Sequence, residues 1–265
     1  MKLTLLLAGV LCATVAVAQE GVDVGKPSAF RQLIPAQQIE QQSQQEYHQL
    51  LQQASAKKAL ASGSNPQLQR LRGIANRIIP QTPRFNPRAS QWKWEVNLLG
   101  SKQVNAFCMP GGKIAFYSGL LDTLKLDDDE VAMVMGHEVA HALREHAREQ
   151  AAKSGLTSLG ASLLGQFVSG GRYADLFNIG GNLLNLSYSR SDESEADVVG
   201  LELAARAGFD PRAGVTLWQK MAAANNRAPL EWFSTHPSDT RRIDEIKRHL
   251  PEVMPLYERA KQAQR

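Results

Sequence analysis

The pattern that most constrains this fold is a five-residue run, His137-Glu138-Val139-Ala140-His141, set among apolar residues. Residues four apart in an α-helix lie one turn apart on the same face, so His137 and His141 can direct their imidazoles at one metal ion. Glu138 follows the first histidine. A carboxylate there can take the proton of a water on that metal as the water attacks a carbonyl carbon. The run predicts a buried helix with a zinc site and Glu138 as general base.

The ends of this helix are also marked in the sequence. Asp127 is the predicted N-cap, and Glu130 three residues later completes a capping-box pattern. No proline occurs from Glu130 to Lys153, which predicts a helix that continues through this range. The charged residues near its end predict exposure to water: Arg144, Glu145, Arg148 and Glu149.

Length and composition indicate an ordinary globular protein. The chain has 265 residues, of which 43% are hydrophobic and 21% charged, enough for one sizeable core. The formal net charge is only +4 and the basic residues are spread along the chain, so we predict no nucleic-acid partner.

The N-terminal segment predicts export. Lys2 is followed by an apolar run over residues 3–17, and Ala16-Val17-Ala18 fits a cleavage site for a signal peptide of residues 1–18. The run is short for a membrane span. We therefore predict a periplasmic protein cleaved after Ala18. Cys108 is then its only cysteine, so core packing and metal rather than disulfides would stabilise it.

A small sheet is predicted just before the histidine helix. Residues 92–98 alternate between apolar and polar side chains, and residues 104–121 read as strand, glycine turn, strand and short helix. An edge strand beside a metal can pair with the backbone of a peptide substrate. Asn105, Ala106 and Phe107 are the candidate substrate-binding residues, although Asn105 could equally hold a purely structural strand position.

Two histidines need a third protein ligand to hold a catalytic zinc. The downstream candidates are Asp192, Glu193, Glu195, Asp197 and His236. Glu193 and Asp197 are four apart, which allows Glu193 to bind zinc while Asp197 accepts the free ring N–H of a ligand histidine. The alternative is a charged first turn on a helix over residues 191–207 with Ser191 as N-cap.

Four ordered motifs resemble one family, the HtpX and CaaX-prenyl-protease type zinc metallopeptidases of peptidase family M48. They are Asn105-Ala106-Phe107 with Pro110-Gly111-Gly112, then His137 to His141, then Ser189 to Asp197, then His236-Pro237 with Arg242-Ile243. The resemblance implies an α+β, mainly α, zincin-like (gluzincin) fold with a small sheet beside the helix. It also implies that Glu193 is the third zinc ligand. For His236 it implies an oxyanion-stabilising role or a place on the metal in a resting form, and for Arg242 a role in positioning this region.

The predicted organisation has four parts. They are a signal peptide at residues 1–18, an N-terminal arm with a glutamine-rich helix at 19–60, the zinc metallopeptidase domain at 61–250 and a polar surface tail at 251–265. The last helix is predicted over residues 239–250. Residues 154–171 carry no charge, and we predict a mobile cover near the site, with peripheral membrane contact as the lesser alternative.

Three functions fit these features. The leading one is a periplasmic zinc endopeptidase that acts on unfolded envelope proteins in protein quality control, the biological role being an analogy to the family. The second is a chaperone-like binder of such proteins with a latched or structural zinc. The third is a zinc hydrolase of a non-peptide amide, against which the edge strand argues.

Overall fold

A computed structural model describes residues 20–155, 183, 186–237 and 241–264. The predicted signal peptide and most of the predicted cover over residues 154–171 lie outside the described residues. The elements are α1 Ala36–Ala56, α2 Pro66–Ile78, β1 Glu95–Leu99, β2 Ala106–Met109, β3 Lys113–Tyr117, α3 Ser118–Leu124, α4 Asp128–Leu143, α5 at residues 146–155, α6 Arg190–Arg206, α7 Ala213–Asn225, α8 Trp232–Thr235 and α9 Arg242–Ala263, with 3₁₀ turns at Ala29–Leu33, Ile79–Arg84 and Pro87–Gln91. The mainly helical α+β prediction is confirmed. No helix in this described part is long and apolar enough to span a bilayer.

The three described strands form one sheet in the order β1-β3-β2, with β1 parallel and β2 antiparallel to β3. This order places β2 at an edge, beside α4. The predicted first strand began too early. The backbone at Trp92 still closes a 3₁₀ turn onto Ala89, and β1 begins only where the Glu95 N–H donates to the Gly112 carbonyl at 3.0 Å.

Helices α4 and α6 cross at two glycines, which sets the position of the site. A Cβ added at Gly136 would lie 2.7 Å from the Gly200 carbonyl oxygen, and one added at Gly200 would lie 2.6 Å from the His137 nitrogen. Only glycine permits this approach. The crossing brings His137 and His141 on α4 opposite Glu193 and the rest of the first turns of α6.

The histidine helix is buried but shorter than predicted. Asp127 caps it in a capping box with Glu130, as predicted, and the helix is buried over residues 130–143. It ends at Leu143 because Glu145 adopts a left-handed conformation with φ of 59°, and α5 begins at the next residue. The prediction of an uninterrupted helix to residue 153 is therefore wrong.

The predicted water-exposed end of that helix is also wrong. Arg144 is 5% exposed and Glu149 is 8% exposed. The charges pair with each other and with the N-terminal arm: Glu145 contacts Arg31 at 2.7 Å and Arg148 at 2.8 Å. Paired charges can be buried where single ones cannot.

The capping residue of α6 differs from the prediction by two positions. Ser189, not Ser191, caps the helix, because its hydroxyl accepts from the Asp192 N–H at 3.2 Å while the Asp192 carboxylate accepts from the Ser189 N–H at 2.8 Å. This reciprocal pair satisfies two backbone donors, which a cap at Ser191 would leave open.

The last helix does not end near Leu250. Helix α9 begins at Arg242 and continues through Pro251 and Pro255 to Ala263. Val253 is fully buried and Leu256 is 2% exposed, so the predicted surface tail packs on the core through these side chains. Their burial outweighs the hydrogen bonds that the two prolines cannot make.

Candidate metal centre

Four buried side chains from α4, α6 and the residue after α8 direct ligand atoms at one point. They are His137, His141, Glu193 and His236, and these atoms all lie within 4.8 Å of one another. His141 Nε2 is 3.1 Å from His137 Nε2 and 3.3 Å from Glu193 Oε1. His236 Nδ1 is 3.3 Å from His137 Nε2 and 2.9 Å from Glu193 Oε1. Of the five downstream candidates for a third ligand, Glu193 and His236 are the two that lie in this cluster.

The spacing of these atoms fits a tetrahedral metal ion. Metal–nitrogen and metal–oxygen bonds of about 2.0–2.1 Å place neighbouring ligand atoms about 3.3 Å apart. The measured separations run from 2.9 Å to the 3.6 Å between His137 Nε2 and Glu193 Oε2. Burial lowers the pKa of His137 and His141, which favours the neutral rings that bind metals. The cluster therefore fits a metal in charge, donor type and size.

Charged side chains around the cluster hold His137 and Glu193 in place. His137 Nδ1 lies 3.0 Å from Asp197 Oδ1, as predicted for that carboxylate. Arg242 reaches Asp197 with Nε and Nη2, both at 2.6 Å, and Glu193 with Nη1 at 2.5 Å. Burial alone would raise the pKa of Asp197, but the charge of Arg242 and the hydrogen bond from His137 lower it below its usual value. Arg242 thus lies where the resemblance implied, against both carboxylates.

Glu138 lies beside the cluster with one oxygen unused. Its side chain is 2% exposed, and Oε1 has no hydrogen-bond partner among the residues that the structure describes. Burial raises the pKa of Glu138 to about 8, against the opposing charge of His236, whose Nε2 is 3.5 Å from Oε1. Glu138 is therefore a buried carboxyl group at the centre that holds a proton more readily than an exposed one.

The predicted substrate-binding residues line the same groove as Glu138. Ala106 and Phe107 begin β2 and Asn105 directly precedes it, and all three lie along one groove with Glu138 and His236. The sequence prediction thus placed the strand correctly, and substrate binding by these three residues stays a prediction.

Three side chains at the centre were not found from the sequence. Tyr188 stacks on His141 with 3.9 Å between ring centroids, and Trp232 stacks on His236 at 4.5 Å. His146 lies 2.9 Å from His141, nitrogen to nitrogen. Two of them had a local signal: Trp232 stands one helical turn before His236, and Tyr188 directly precedes the capping serine of α6. His146, five residues after His141, had none.

The gluzincin class of metallopeptidase folds is defined by three features. They are a helix with two histidines and an adjacent glutamate, a carboxylate from a second helix, and an edge strand beside them. The family model described as Peptidase family M48 matches residues 66–250, and the chain belongs to this family.

Relatives with assigned names agree with this membership. The chain is 43% identical over 150 residues to the mitochondrial metalloendopeptidase OMA1 of Arabidopsis thaliana, covering 56% of this chain and 30% of that one. It is 29% identical over 202 residues to the metalloprotease LoiP of Escherichia coli, covering 75% and 77%. It is 27% identical over 195 residues to the beta-barrel assembly-enhancing protease of Yersinia pestis, covering 69% and 38%. The chain spans less than half of the length of the Arabidopsis relative.

Proposed function

We propose that this protein is a zinc-dependent metalloendopeptidase of the bacterial cell envelope that hydrolyses peptide bonds in unfolded or damaged envelope proteins. The observation that carries the proposal is the position of Glu138, buried beside the donor cluster with one carboxylate oxygen that no described residue hydrogen-bonds. Such a carboxylate beside a cluster of metal-donor side chains and a groove serves proton transfer better than it serves stability, because a buried oxygen without a hydrogen bond is costly.

The side chains then have distinct roles. His137, His141 and Glu193 would hold the zinc ion, which when bound supplies Lewis acidity to a carbonyl and lowers the pKa of a water. Glu138 would hold the attacking water by Oε1, take its proton and pass it to the leaving amine. Arg242 and Asp197 would keep Glu193 and His137 in place through the contacts described above.

An extended peptide suits this groove. The edge strand β2 can pair with the backbone of a substrate, which reads main chain rather than side chains and favours broad specificity for unfolded segments. This supports polypeptide substrates over a non-peptide amide.

Other features support zinc and the envelope. The nitrogen and carboxylate donors match the usual ligands of catalytic zinc. Residues 1–18 carry the sequence pattern of a signal peptide. The Yersinia relative is named for enhancing the assembly of beta-barrels, which accords with envelope quality control, whereas the OMA1 relatives are named as mitochondrial proteins.

The decisive experiment replaces the proton acceptor alone. We expect Glu138→Gln to bind zinc as the wild type does and to lose about 10²–10⁴ in kcat/KM on an unfolded model protein, because the amide cannot take a proton. Cleavage is followed by gel or fluorescence, and zinc content by metal analysis of the purified chain.

The matched control is Glu258→Gln on the exposed face of α9, which makes the same chemical change far from the groove. It should cleave as fast as the wild type. Full activity in Glu138→Gln would overturn the assignment.

One observation favours the binding alternative. His236 is the fourth member of the donor cluster, so a bound metal would have four protein ligands and no position open for a water or substrate. A binder of this kind would protect unfolded protein in stoichiometric amounts, and the protection would persist in Glu138→Gln. Catalytic turnover by the wild type decides between the two functions.

A further inference from the structure

A second buried histidine lies directly behind one ligand. His146 is 1% exposed, and its Nδ1 is 2.9 Å from Nδ1 of His141. Its other nitrogen, Nε2, is 2.9 Å from Glu195 Oε2. The second oxygen of Glu195 forms an ion pair with Arg144. A continuous series of polar contacts therefore runs from the donor cluster through His141 and His146 to Glu195 and Arg144.

The break between α4 and α5 makes the first contact possible. In a straight helix, residues five apart point about 140° away from each other. His146 would then lie on the far side of α4 from His141. The left-handed conformation of Glu145 turns the chain and brings the His146 ring back over His141, at 5.0 Å between centroids.

One arrangement of protons satisfies all of these contacts. His141 presents Nε2 to the cluster, so that nitrogen must keep its lone pair for a metal. Its proton is then on Nδ1, which donates to His146 Nδ1. His146 accepts there and carries its own proton on Nε2, which donates to the Glu195 carboxylate. Any other neutral tautomer of His146 would set two N–H groups against each other.

We propose that His146, held by Glu195, is a positioning residue that fixes the tautomer and ring orientation of the metal ligand His141. The proposal rests on the zinc site of the proposed function. The two ligand histidines then have unlike supports. His137 donates to the carboxylate of Asp197, whereas His141 donates to a neutral imidazole that passes the interaction on to a carboxylate.

The test separates the acceptor nitrogen from the bulk of the ring. His146→Leu fills the space without an acceptor, while His146→Asn places an amide oxygen close to where Nδ1 was. Zinc dissociation constants are measured by competition with a chromophoric chelator. We expect His146→Leu to weaken zinc binding by about 10–100-fold and His146→Asn to restore most of it.

His48→Leu is the matched control, because the side chain of His48 is half exposed on α1 and lies outside the cluster. Its affinity should equal that of the wild type. Equal affinities of wild type and His146→Leu would overturn the proposal. The proposal would also be overturned if His146→Asn bound zinc as weakly as His146→Leu, since the ring would then act by packing alone. Thermal unfolding of the metal-free variants verifies that they are folded.

A second measurement reads the protons directly. In nitrogen-15 histidine spectra of the zinc-loaded wild type, we expect His141 as the Nδ1–H form and His146 as the Nε2–H form. A proton on Nδ1 of His146 would overturn the proposal. Neither measurement uses peptide cleavage. If the zinc affinities of the variants are as expected but the wild type cleaves nothing, the proposed function alone is overturned. If the wild type cleaves and the activity depends on Glu138, but His146→Leu binds zinc as tightly as the wild type, this inference alone is overturned.

Discussion

The His236 ring closes the metal centre. Its Nδ1 lies 3.3 Å from His137 Nε2 and 2.9 Å from Glu193 Oε1, and Trp232 stacks on its face. With a metal bound, a nitrogen at this corner would compete with a substrate carbonyl for the same coordination position. Of the two roles implied by the resemblance, the geometry favours the ligand of a resting form.

We expect His236→Ala to retain zinc and to raise kcat/KM. If only one molecule in ten is open in the wild type, removal of the ring would raise kcat/KM about tenfold, because apparent affinity scales with the competent fraction. Peptide cleavage at substrate concentrations well below KM measures the effect. A large fall in kcat with bound zinc unchanged would instead assign His236 to oxyanion stabilisation.

Local spacing explains which site residues the sequence revealed. His137 and His141 follow from one helical turn, and Asp197 follows from Glu193 by the same rule. The choice of Glu193 among five downstream candidates came from resemblance, since no local rule predicts which helix crosses α4. His146 and Tyr188 were missed because their contacts depend on the turn at Glu145 and on the entry of the chain into a distant helix.

At the scale of elements, the glycine crossing of α4 and α6 sets the distance between the ligands. Three of the four donors sit on these two helices, and backbone lies against backbone at Gly136 and Gly200. A change of separation there moves Glu193 relative to both histidines.

We expect Gly200→Ala to lower the free energy of unfolding by about 1–3 kcal/mol or more, because the new methyl group would meet the His137 backbone. Zinc affinity should fall with it, since the helices must separate. Denaturant unfolding of the metal-free chain and chelator competition measure the two effects.

Gly73→Ala is the matched control on α2, where an added Cβ meets nothing within 4 Å. It should stabilise the protein by about 0.5–1 kcal/mol through helix propensity and leave zinc affinity unchanged. Equal unfolding free energies for Gly200→Ala and the wild type would show that the crossing tolerates a side chain.

Helix starts were easier to predict than helix ends. The capping box at Asp127 is a local signal, and it is confirmed. The end of α4 depends on the left-handed conformation of Glu145. The ion pair of Glu145 with Arg31 on the arm helps to hold that conformation. The passage of α9 through two prolines depends on burial of Val253 and Leu256. Such tertiary effects leave no local trace.

At the scale of the molecule, the N-terminal arm is anchored on the back of α6. Glu202 is fully buried and accepts from the Val22 N–H at 2.6 Å, while Arg84 and Arg206 each approach it at 2.6 Å. Gly21, with φ of 103°, brings the arm close to this carboxylate. One carboxylate thus joins the arm, a 3₁₀ turn and α6.

We expect Glu202→Gln to lower the free energy of unfolding by about 1.5–3 kcal/mol, the usual value of a hydrogen bond to a charged group. The arm should also become sensitive to limited proteolysis, since its anchor is weaker. Mass spectrometry of the fragments locates the cuts.

Arg259→Gln is the control, because its ion pair with Glu20 on the same arm leaves both side chains about half exposed. It should change stability by at most about 1 kcal/mol and leave the arm resistant. Equal proteolysis of wild type and Glu202→Gln would show that the arm is held elsewhere.

The position of Arg242 at the start of α9 bears on biosynthesis. In the order of translation it follows His137 by 105 residues and Glu193 by 49. A chain emerging from the ribosome therefore exposes these ligands well before the cation that pairs with Asp197 and Glu193. The centre reaches its final electrostatic state only when the last long helix docks. A hydrolase built in this way would stay inert while its own chain, and others passing beside it, are still unfolded.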